Sequence, residues 1–205
     1  MDGARKFEAF ILAGGRSSRM GRDKAMLEID GVTMIERAID LLRSLDMETC
    51  IVGSSTEFPA HPDARVIPDV WPGAGPLGGI ATALKHSSKD WNLVIACDIP
   101  YLTREWLEFL MRRAGASSAP AVVPRNERGA EPMCAVYHKR AEAAIRAALE
   151  NGTRKVMDGL AMLKIEYIEP EEWKAFDSEG FLFKNMNTPA DYQEAKARLG
   201  RCPQK

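Results

Sequence analysis

A glycine-rich basic segment near the N-terminus carries the side chains best suited to binding an anion. The segment reads FILAGGRSSRMGRDK and occupies residues 10–24. Its glycine pair, Gly14 and Gly15, precedes four basic side chains: Arg16, Arg19, Arg22 and Lys24. Glycines allow close backbone approach, exposed turn N–H groups form a concave anion site, and guanidinium and ammonium groups pair with phosphate oxygens. The segment predicts a phosphate site; the alternative is an ordinary turn with solvated basic side chains.

The spacing of this segment excludes the two commonest phosphate-binding fingerprints. It contains neither G-x-G-x-x-G nor a GK[ST] triplet, which are the patterns of dinucleotide-binding turns and P-loops. The predicted anion site is therefore of a different type.

Asp98 is the carboxylate best placed to work with that site. A continuous apolar run, residues 92–96, leads directly into Cys97-Asp98-Ile99-Pro100. An acid at the carboxyl end of a buried strand lies where open α/β sheets bind ligands. Mg²⁺ prefers oxygen ligands and often uses only one or two protein carboxylates. Asp98 is thus a candidate metal ligand, with a capping or turn aspartate as the alternative.

A second glycine-rich stretch, PDVWPGAGPLGG at residues 68–79, contains three prolines and four glycines. This composition predicts a shaped loop followed by a helix that begins near Pro76. No histidine lies in or beside the three segments described so far, so a nucleophile–base pair is missing. Positioning and charge neutralisation, as in phosphoryl-group chemistry, are favoured over covalent catalysis.

Two asparagines near the C-terminus form a further candidate polar site. Asn185 and Asn187 are two residues apart and precede a helix whose N-cap signal is Thr188, Pro189 and Asp191. On an extended segment, side chains two apart face the same way. They can bind a polar ligand or satisfy local backbone groups.

Strands and helices alternate along the whole chain, which predicts a three-layer α/β fold with a mostly parallel sheet. A hairpin turn is expected at Asp30-Gly31, and Thr33 and Thr103 are expected to cap helices. A polar basic loop is expected at residues 124–129, and an exposed turn or short helix at 169–180. The predicted strands of the sheet are residues 7–13, 50–52, 65–67, 92–96, 121–123, 133–137 and 165–168.

Composition indicates one globular domain in the cytoplasm. The 205 residues carry a net charge of −1, whereas nucleic-acid-binding surfaces more often make a domain basic. No apolar run approaches the roughly 20 residues of a membrane span, and the first residues do not resemble a signal peptide. The four cysteines form no C-x-x-C pair, which disfavours structural zinc and fits reduced thiols.

Taken together, four motifs resemble the molybdenum cofactor guanylyltransferase family (MobA): LAGGRSSRMGRDK, PDVWPGAGPLGG, ACDIPYL and NMNTPADY. They follow the family's order, and the similarity covers nearly all of the chain. The resemblance implies a Rossmann-like nucleotidyltransferase domain over residues 1–205, with a nucleotide half to about residue 100 and an acceptor half beyond it. It also implies Mg²⁺-dependent transfer of GMP from GTP to molybdopterin carrying molybdenum, with release of pyrophosphate. Transient contacts with proteins that load or deliver the cofactor are expected.

The resemblance also implies roles for single residues. Those on the nucleotide side are the turn of Leu12, Ala13, Gly14 and Gly15, the phosphate-binding Lys24, a triphosphate-binding Arg19 and the nucleotide-contacting Asp69. Asp98 matches the magnesium ligand near the α-phosphate, and Asn185 and Asn187 match asparagines near the acceptor. An asparagine that contacts nucleotide in some members would fall near Gly53 and Ser54, where this chain has none.

Three alternatives remain open at this stage. A related cytidylyltransferase would act on the same cofactor, but those enzymes resemble L-A-A-G where this chain has Leu12-Ala13-Gly14-Gly15. A guanylyltransferase could serve another phosphorylated acceptor, and a non-catalytic nucleotide-binding module would not need both Lys24 and Asp98. Arg125 and Arg128 can meet the acceptor phosphate or remain solvated loop residues.

Overall fold

The fold is that of a computed structural model, which describes residues 6–13, 24–53, 58, 61–177 and 179–200. Its strands are β1 Phe7–Leu12, β2 Glu28–Ile29, β3 Val32–Thr33, β4 Thr49–Val52, β5 Ala64–Ile67, β6 Trp91–Ala96, β7 Ala121–Asn126, β8 Gly129–Ala130, β9 Cys134–His138 and β10 Ile165–Ile168. Its helices are α1 Met34–Arg43, α2 Gly75–His86, α3 Arg104–Ala116, α4 Glu142–Glu150, α5 Val156–Gly159, α6 Pro170–Trp173 and α7 Pro189–Leu199.

An eight-stranded sheet forms the centre, in the order β10-β7-β9-β6-β1-β4-β5, with β8 paired to β7. Strand β1 is parallel to β4 and β6, β4 is parallel to β5, and β7 is parallel to β10. Strand β9 runs antiparallel to both neighbours, and β8 runs antiparallel to β7. The predicted mostly parallel sheet is confirmed, with one reversed strand in its interior.

Helices cover both faces of the sheet because its central strands are apolar on both sides. Along β1, Phe7, Ala9 and Ile11 join one buried cluster together with α1 and α3. Phe10 and Leu12 join a second cluster together with α2 and α4. The expected three-layer α/β arrangement is therefore confirmed.

The predicted turn and caps also form. Asp30 and Gly31 both have positive φ, as the tight turn of the β2–β3 hairpin requires. The Thr33 side chain accepts a hydrogen bond from the Glu36 N–H and completes a capping box. Thr103 caps α3, and Thr188 forms a capping box with Asp191 at the start of α7.

One expectation for the second half was wrong. Residues 124–126 belong to β7 rather than to a loop, because β8 and β10 pair with β7 on opposite sides. The short helix expected as one possibility within residues 169–180 forms as α6, and its Trp173 is buried and donates its indole N–H to the Arg125 carbonyl at 2.8 Å. Within the described residues, no helix combines the length and the apolar character needed to cross a membrane.

Candidate active site

The carboxyl ends of β1 and β6 lie side by side and define the candidate site. Their register pairs Leu12 with Ala96, and the Cys97 N–H donates to the Leu12 carbonyl at 3.3 Å. On the other side of β1, the Ala13 N–H donates to the Val52 carbonyl at 3.3 Å. The parallel pairing thus brings the strand that leads to the basic segment next to the turn that carries Asp98.

Lys24 and Asp98 meet at this edge. The Lys24 ammonium Nζ lies 3.2 Å from Asp98 Oδ2, and each side chain is 20% exposed. A lysine from the end of the basic segment and a strand-end carboxylate therefore share one partly open site. Such a pair offers a cation for phosphate oxygens and a carboxylate for a metal ion.

The two C-terminal asparagines occupy different positions. Asn187 Oδ1 accepts a hydrogen bond from Lys24 Nζ, whereas the exposed Asn185 side chain makes no hydrogen bond within the described part of the chain. Between them, Met186 is buried and donates its N–H to the Asp98 carbonyl at 2.8 Å. The segment is therefore held against the Asp98 turn, and of the two asparagine side chains only that of Asn187 contacts Lys24 in the described structure.

Helix α7 holds that segment in place. Asp191 Oδ2 accepts hydrogen bonds from the N–H groups of Asn187 and Thr188, at 3.1 and 2.8 Å. The Thr188 side-chain hydrogen bond is the main reason that the pKa of Asp191 lies below its ordinary value. The hydroxyl of the adjacent Tyr192 donates to the Glu28 carbonyl in β2 at 2.6 Å. Helix α7 thereby joins Asn187 to the hairpin that directly follows Lys24.

Asp69 shapes the proline- and glycine-rich loop and does not contact the Lys24–Asp98 pair. Its Oδ1 accepts hydrogen bonds from the Trp71 N–H at 2.9 Å and from the Thr82 hydroxyl at 2.7 Å. The Thr82 oxygen in turn accepts from the Val70 N–H at 3.1 Å. This is an aspartate turn, locked by a threonine of α2. The second carboxylate oxygen makes no hydrogen bond within the described residues.

The glycines at the start of α2 allow close packing. A Cβ on Gly79 would lie 3.0 Å from Leu12 Cδ1, and a Cβ on Gly78 would lie 2.9 Å from the Trp71 carbonyl oxygen. Larger residues would push α2 and its loop away from the end of β1. Within the described residues, the neighbour that approaches Gly79 is thus the Leu12 side chain of β1.

Some predicted site residues lie outside the described part of the chain. These are Arg19, Gly14 and Gly15, and their nucleotide-binding roles stay predictions. Leu12 and Ala13 are described and buried at the end of β1. The described part of the site thus comprises these two residues, Lys24 and Asp98, the Asp69 loop and the two asparagines.

The oxygen donors of the site suit Mg²⁺ rather than a structural metal. Within the described residues, no three His, Cys, Asp or Glu side chains converge. Asp98 is a single partly exposed carboxylate, and its Oδ2 is the oxygen that meets Lys24. Mg²⁺ often binds through one or two carboxylates while waters and substrate phosphates supply the remaining oxygens. Asp98 therefore fits as a protein ligand for Mg²⁺.

The β7–β8 hairpin reaches the same edge from the other half of the sheet. Strand β9 begins beside the end of β6, where the Ala96 N–H donates to the Met133 carbonyl at 2.8 Å. Arg125 at the end of β7 is 3.2 Å from Glu169 and stacks 3.7 Å from the Tyr167 ring centre. Arg128 is exposed, and its guanidinium has no ion pair within the described residues. Arg125 is therefore committed to protein contacts, and Arg128 is available to a ligand.

Sequence reasoning missed two polar residues of this region. Thr82 lies in a buried apolar stretch of α2. Its polar side chain within that apolar stretch was the signal that could have pointed to a buried hydrogen bond. Glu131 precedes β9 and accepts a hydrogen bond from the Asn126 amide. Burial raises the pKa of Glu131 despite that hydrogen bond. Nothing in the local pattern around Glu131 distinguishes it from a surface acid.

The fold and the site, a cation beside a carboxylate at the carboxyl edge of a doubly covered α/β sheet, are typical of a nucleotidyltransferase. The chain belongs to the family described as the MobA-like NTP transferase domain, whose profile matches residues 9–165. It is accordingly a nucleotidyltransferase enzyme, and the family resemblance inferred from the four motifs is confirmed.

Relatives of this chain carry a consistent name. A probable molybdenum cofactor guanylyltransferase of Pelotomaculum thermopropionicum is 36% identical over 196 residues, which cover 93% of this chain and 95% of the relative. A protein of the same name from Bacillus cereus is 31% identical over 199 residues, or 95% and 98% of the two chains.

Solved structures agree with the fold. The molybdopterin-guanine dinucleotide biosynthesis protein A of Archaeoglobus fulgidus matches with a TM-score of 0.83 and 27% identity, over 95% of this chain and all of that one. The 2-C-methyl-D-erythritol 4-phosphate cytidylyltransferase of Thermus thermophilus matches with a TM-score of 0.68 at 18% identity, over 95% and 98% of the chains. The second likeness shows the fold alone.

Proposed function

We propose that this enzyme transfers GMP from GTP to molybdopterin carrying molybdenum, which forms the guanine dinucleotide cofactor and releases pyrophosphate. The observation that carries the proposal is the Lys24–Asp98 pair, 3.2 Å apart at the carboxyl ends of β1 and β6. The names of relatives that match over more than nine tenths of the chain support the choice of acceptor.

The reaction requires no covalent enzyme intermediate. A terminal phosphate oxygen of the acceptor attacks the α-phosphorus of GTP and forms a new P–O bond. The bond between the α-phosphorus and the bridging oxygen breaks, and pyrophosphate leaves with the electron pair. Because the attacking phosphate is already anionic, a general base is not needed. This agrees with the lack of histidines in the four family motifs.

Lys24 serves the departing pyrophosphate in this scheme. Its ammonium group is fixed at the edge where the nucleotide enters, and a preorganised cation stabilises charge that develops in the transition state. Arg19 adds a second positive charge to the triphosphate. In the absence of nucleotide, Lys24 offsets the charge of Asp98, so neither group is left uncompensated at its partly buried position.

Asp98 is the residue that would hold Mg²⁺. When bound, the ion neutralises charge on the α-phosphate. We assign binding of the nucleoside to Leu12, Ala13, Gly14 and Gly15, and Asp69 contributes by shaping the loop next to the start of α2.

The acceptor lies on the side of β6 that carries β9 and β7. Asn185 is exposed next to the Asp98 turn, and Arg128 presents a cation without an ion pair in the described structure. This arrangement supports one domain with a nucleotide half of about residues 1–100 and an acceptor half of residues 101–205. Brief contacts with the proteins that load or receive the labile cofactor complete the proposal.

The deciding experiment compares nucleotide donors. The enzyme is incubated with Mg²⁺, molybdenum-loaded molybdopterin and either GTP or CTP, and the dinucleotide product is identified. We expect the guanine product; preferential CMP transfer would reverse the assignment of the base. A phosphorylated acceptor of another type, converted faster than molybdopterin, would reverse the assignment of the acceptor.

The variant Asp98→Ala tests the metal ligand in the same assay. We expect loss of Mg²⁺-dependent turnover in a protein that remains folded, as judged by circular dichroism. Activity at the wild-type level in that variant would remove Asp98 from the metal site.

A further inference from the structure

The Lys24 ammonium group lies between two oxygen acceptors from distant parts of the chain. One is Asp98 Oδ2 at 3.2 Å, and the other is Asn187 Oδ1, 163 residues away in sequence. A lysine side chain loses considerable rotamer entropy when it is fixed, so two acceptors restrict it more than one. Asp98 must also be free to bind a metal ion, which leaves the neutral amide of Asn187 as the lasting contact.

The position of Asn187 is itself well determined. Its N–H is bound by Asp191 in the capping box of α7, at 3.1 Å. The residue before it, Met186, is buried and donates to the Asp98 carbonyl at 2.8 Å. Met186 also packs with Ile29 and Met34 of the segment that follows Lys24. The same short stretch therefore contacts both residues of the pair.

We propose that Asn187 is a positioning residue for Lys24, and that it supports binding of the nucleotide phosphates rather than recognition of the acceptor. This inference rests on the proposed role of Lys24 in binding those phosphates. A neutral amide oxygen orients the ammonium group without cancelling its charge, so the cation remains available to the phosphates. A second carboxylate at this place would compete with them.

The proposal gives different roles to Asn185 and Asn187, although their spacing in the sequence suggested a shared one. Both side chains are exposed and flank the buried Met186, as expected for alternation on an extended segment. Asn187 is bound to Lys24, whereas Asn185 has no hydrogen-bond partner in the described structure. Asn185 therefore remains available to the acceptor, while Asn187 acts through the lysine.

A double-mutant cycle on nucleotide affinity tests the inference. Binding of Mg²⁺-nucleotide is measured calorimetrically for the wild type, Lys24→Ala, Asn187→Ala and the double variant, with GTP and CTP in separate titrations. We expect Asn187→Ala to weaken binding about tenfold, equivalent to about 1.4 kcal/mol. In the Lys24→Ala background, the same change should cost less than about twofold, because coupled residues are not additive. The control Gln193→Ala, exposed on α7, should leave affinity unchanged.

Steady-state kinetics supply a measurement that a general folding defect would not reproduce. Asn187→Ala should raise KM for the nucleotide and leave KM for the acceptor unchanged, and Asn185→Ala should do the opposite. Independent losses in the cycle, or an increase confined to the acceptor KM of Asn187→Ala, would overturn the positioning role.

Failure of the function and failure of the inference are distinguishable. A wild type that binds CTP but not GTP contradicts the proposed base, and the cycle then tests Asn187 with CTP. A wild type that binds neither nucleotide contradicts the proposed function and the positioning role with it.

Discussion

Glu8 is a buried acid near the start of β1, and its replacement by glutamine should destabilise the fold. Its side chain is fully buried, and four donors converge on the carboxylate. Arg65 Nη2 lies at 2.7 Å, the Ser87 hydroxyl at 2.9 Å, the Ser88 N–H at 3.0 Å and Cys50 Sγ at 3.3 Å. These contacts join β1 to β4, to β5 and to the end of α2.

The expected loss can be worked out contact by contact. Hydrogen bonds to a charged group contribute about 1.5–3 kcal/mol each when buried, and the amide of glutamine can keep only one of the two oxygens as an acceptor. The Arg65 side chain is 59% exposed, so its ion pair adds less than about 1 kcal/mol. Relief of carboxylate desolvation offsets part of the loss. We expect Glu8→Gln to cost about 2 kcal/mol, or about 4–8 °C in Tm for a chain of this size.

The loss should depend on pH in a defined direction. Burial opposes ionisation of Glu8, but the hydrogen bonds from Arg65, Ser87, Ser88 and Cys50 outweigh it and hold its pKa below the ordinary 4.5. A carboxyl with a lowered folded-state pKa contributes its stability above the unfolded value and loses it as the pH falls through the folded value. The stability gap between wild type and Glu8→Gln should be complete at neutral pH and should close below about pH 4.5.

Urea unfolding at several pH values measures this gap. The matched control is Glu48→Gln, since Glu48 is 70% exposed and lies 3.8 Å from Lys89; its effect should stay below about 0.5 kcal/mol. A Glu8→Gln protein within that margin of wild type at pH 7 would refute the reasoning. So would a gap that stays constant down to about pH 3, below the unfolded carboxyl pKa.

Two further predictions concern the site. Thr82→Val removes the hydroxyl that donates to Asp69 Oδ1 and accepts from the Val70 N–H. We expect about 1–3 kcal/mol of destabilisation and weaker nucleotide binding by calorimetry. Unchanged stability and unchanged affinity would show that the loop holds its shape without Thr82. Arg128→Ala removes a guanidinium without an ion pair in the described structure. We expect a higher KM for the acceptor at an unchanged KM for GTP, and Arg112→Ala serves as an exposed arginine control. An unchanged acceptor KM in Arg128→Ala would mean that this side chain is solvated and does not bind the acceptor.

Much of the sheet was predictable because its strands have simple local signatures. Strands β1 and β6 are apolar apart from one polar residue each, Glu8 and Asn92, and such runs are typical of buried parallel strands. The caps of α1, α3 and α7 follow from threonines at helix starts. The reversed direction of β9 was not predictable, since a strand has the same alternation in either direction and its partners are chosen by the whole sheet.

In the site, too, some features follow from simple rules of strand order, and others depend on how the whole chain packs. That Asp98 and the basic segment would converge followed from topology, because parallel strands end at one edge. The Asp69–Thr82 contact depends on the register of α2, thirteen residues further along. The family resemblance implied that Asp69 contacts the nucleotide, and the structure adds that one of its oxygens holds the loop.

The contact between Lys24 and Asn187 brings a C-terminal segment to the proposed nucleotide site. Helix α7 docks on the β2–β3 hairpin through Tyr192 and Glu28, and this docking can only follow formation of both elements. No local pattern reports a contact across 163 residues. The lysine that ends the basic segment thus contacts a residue that α7 holds in place, so a change that loosens α7 should weaken nucleotide binding before it unfolds the sheet.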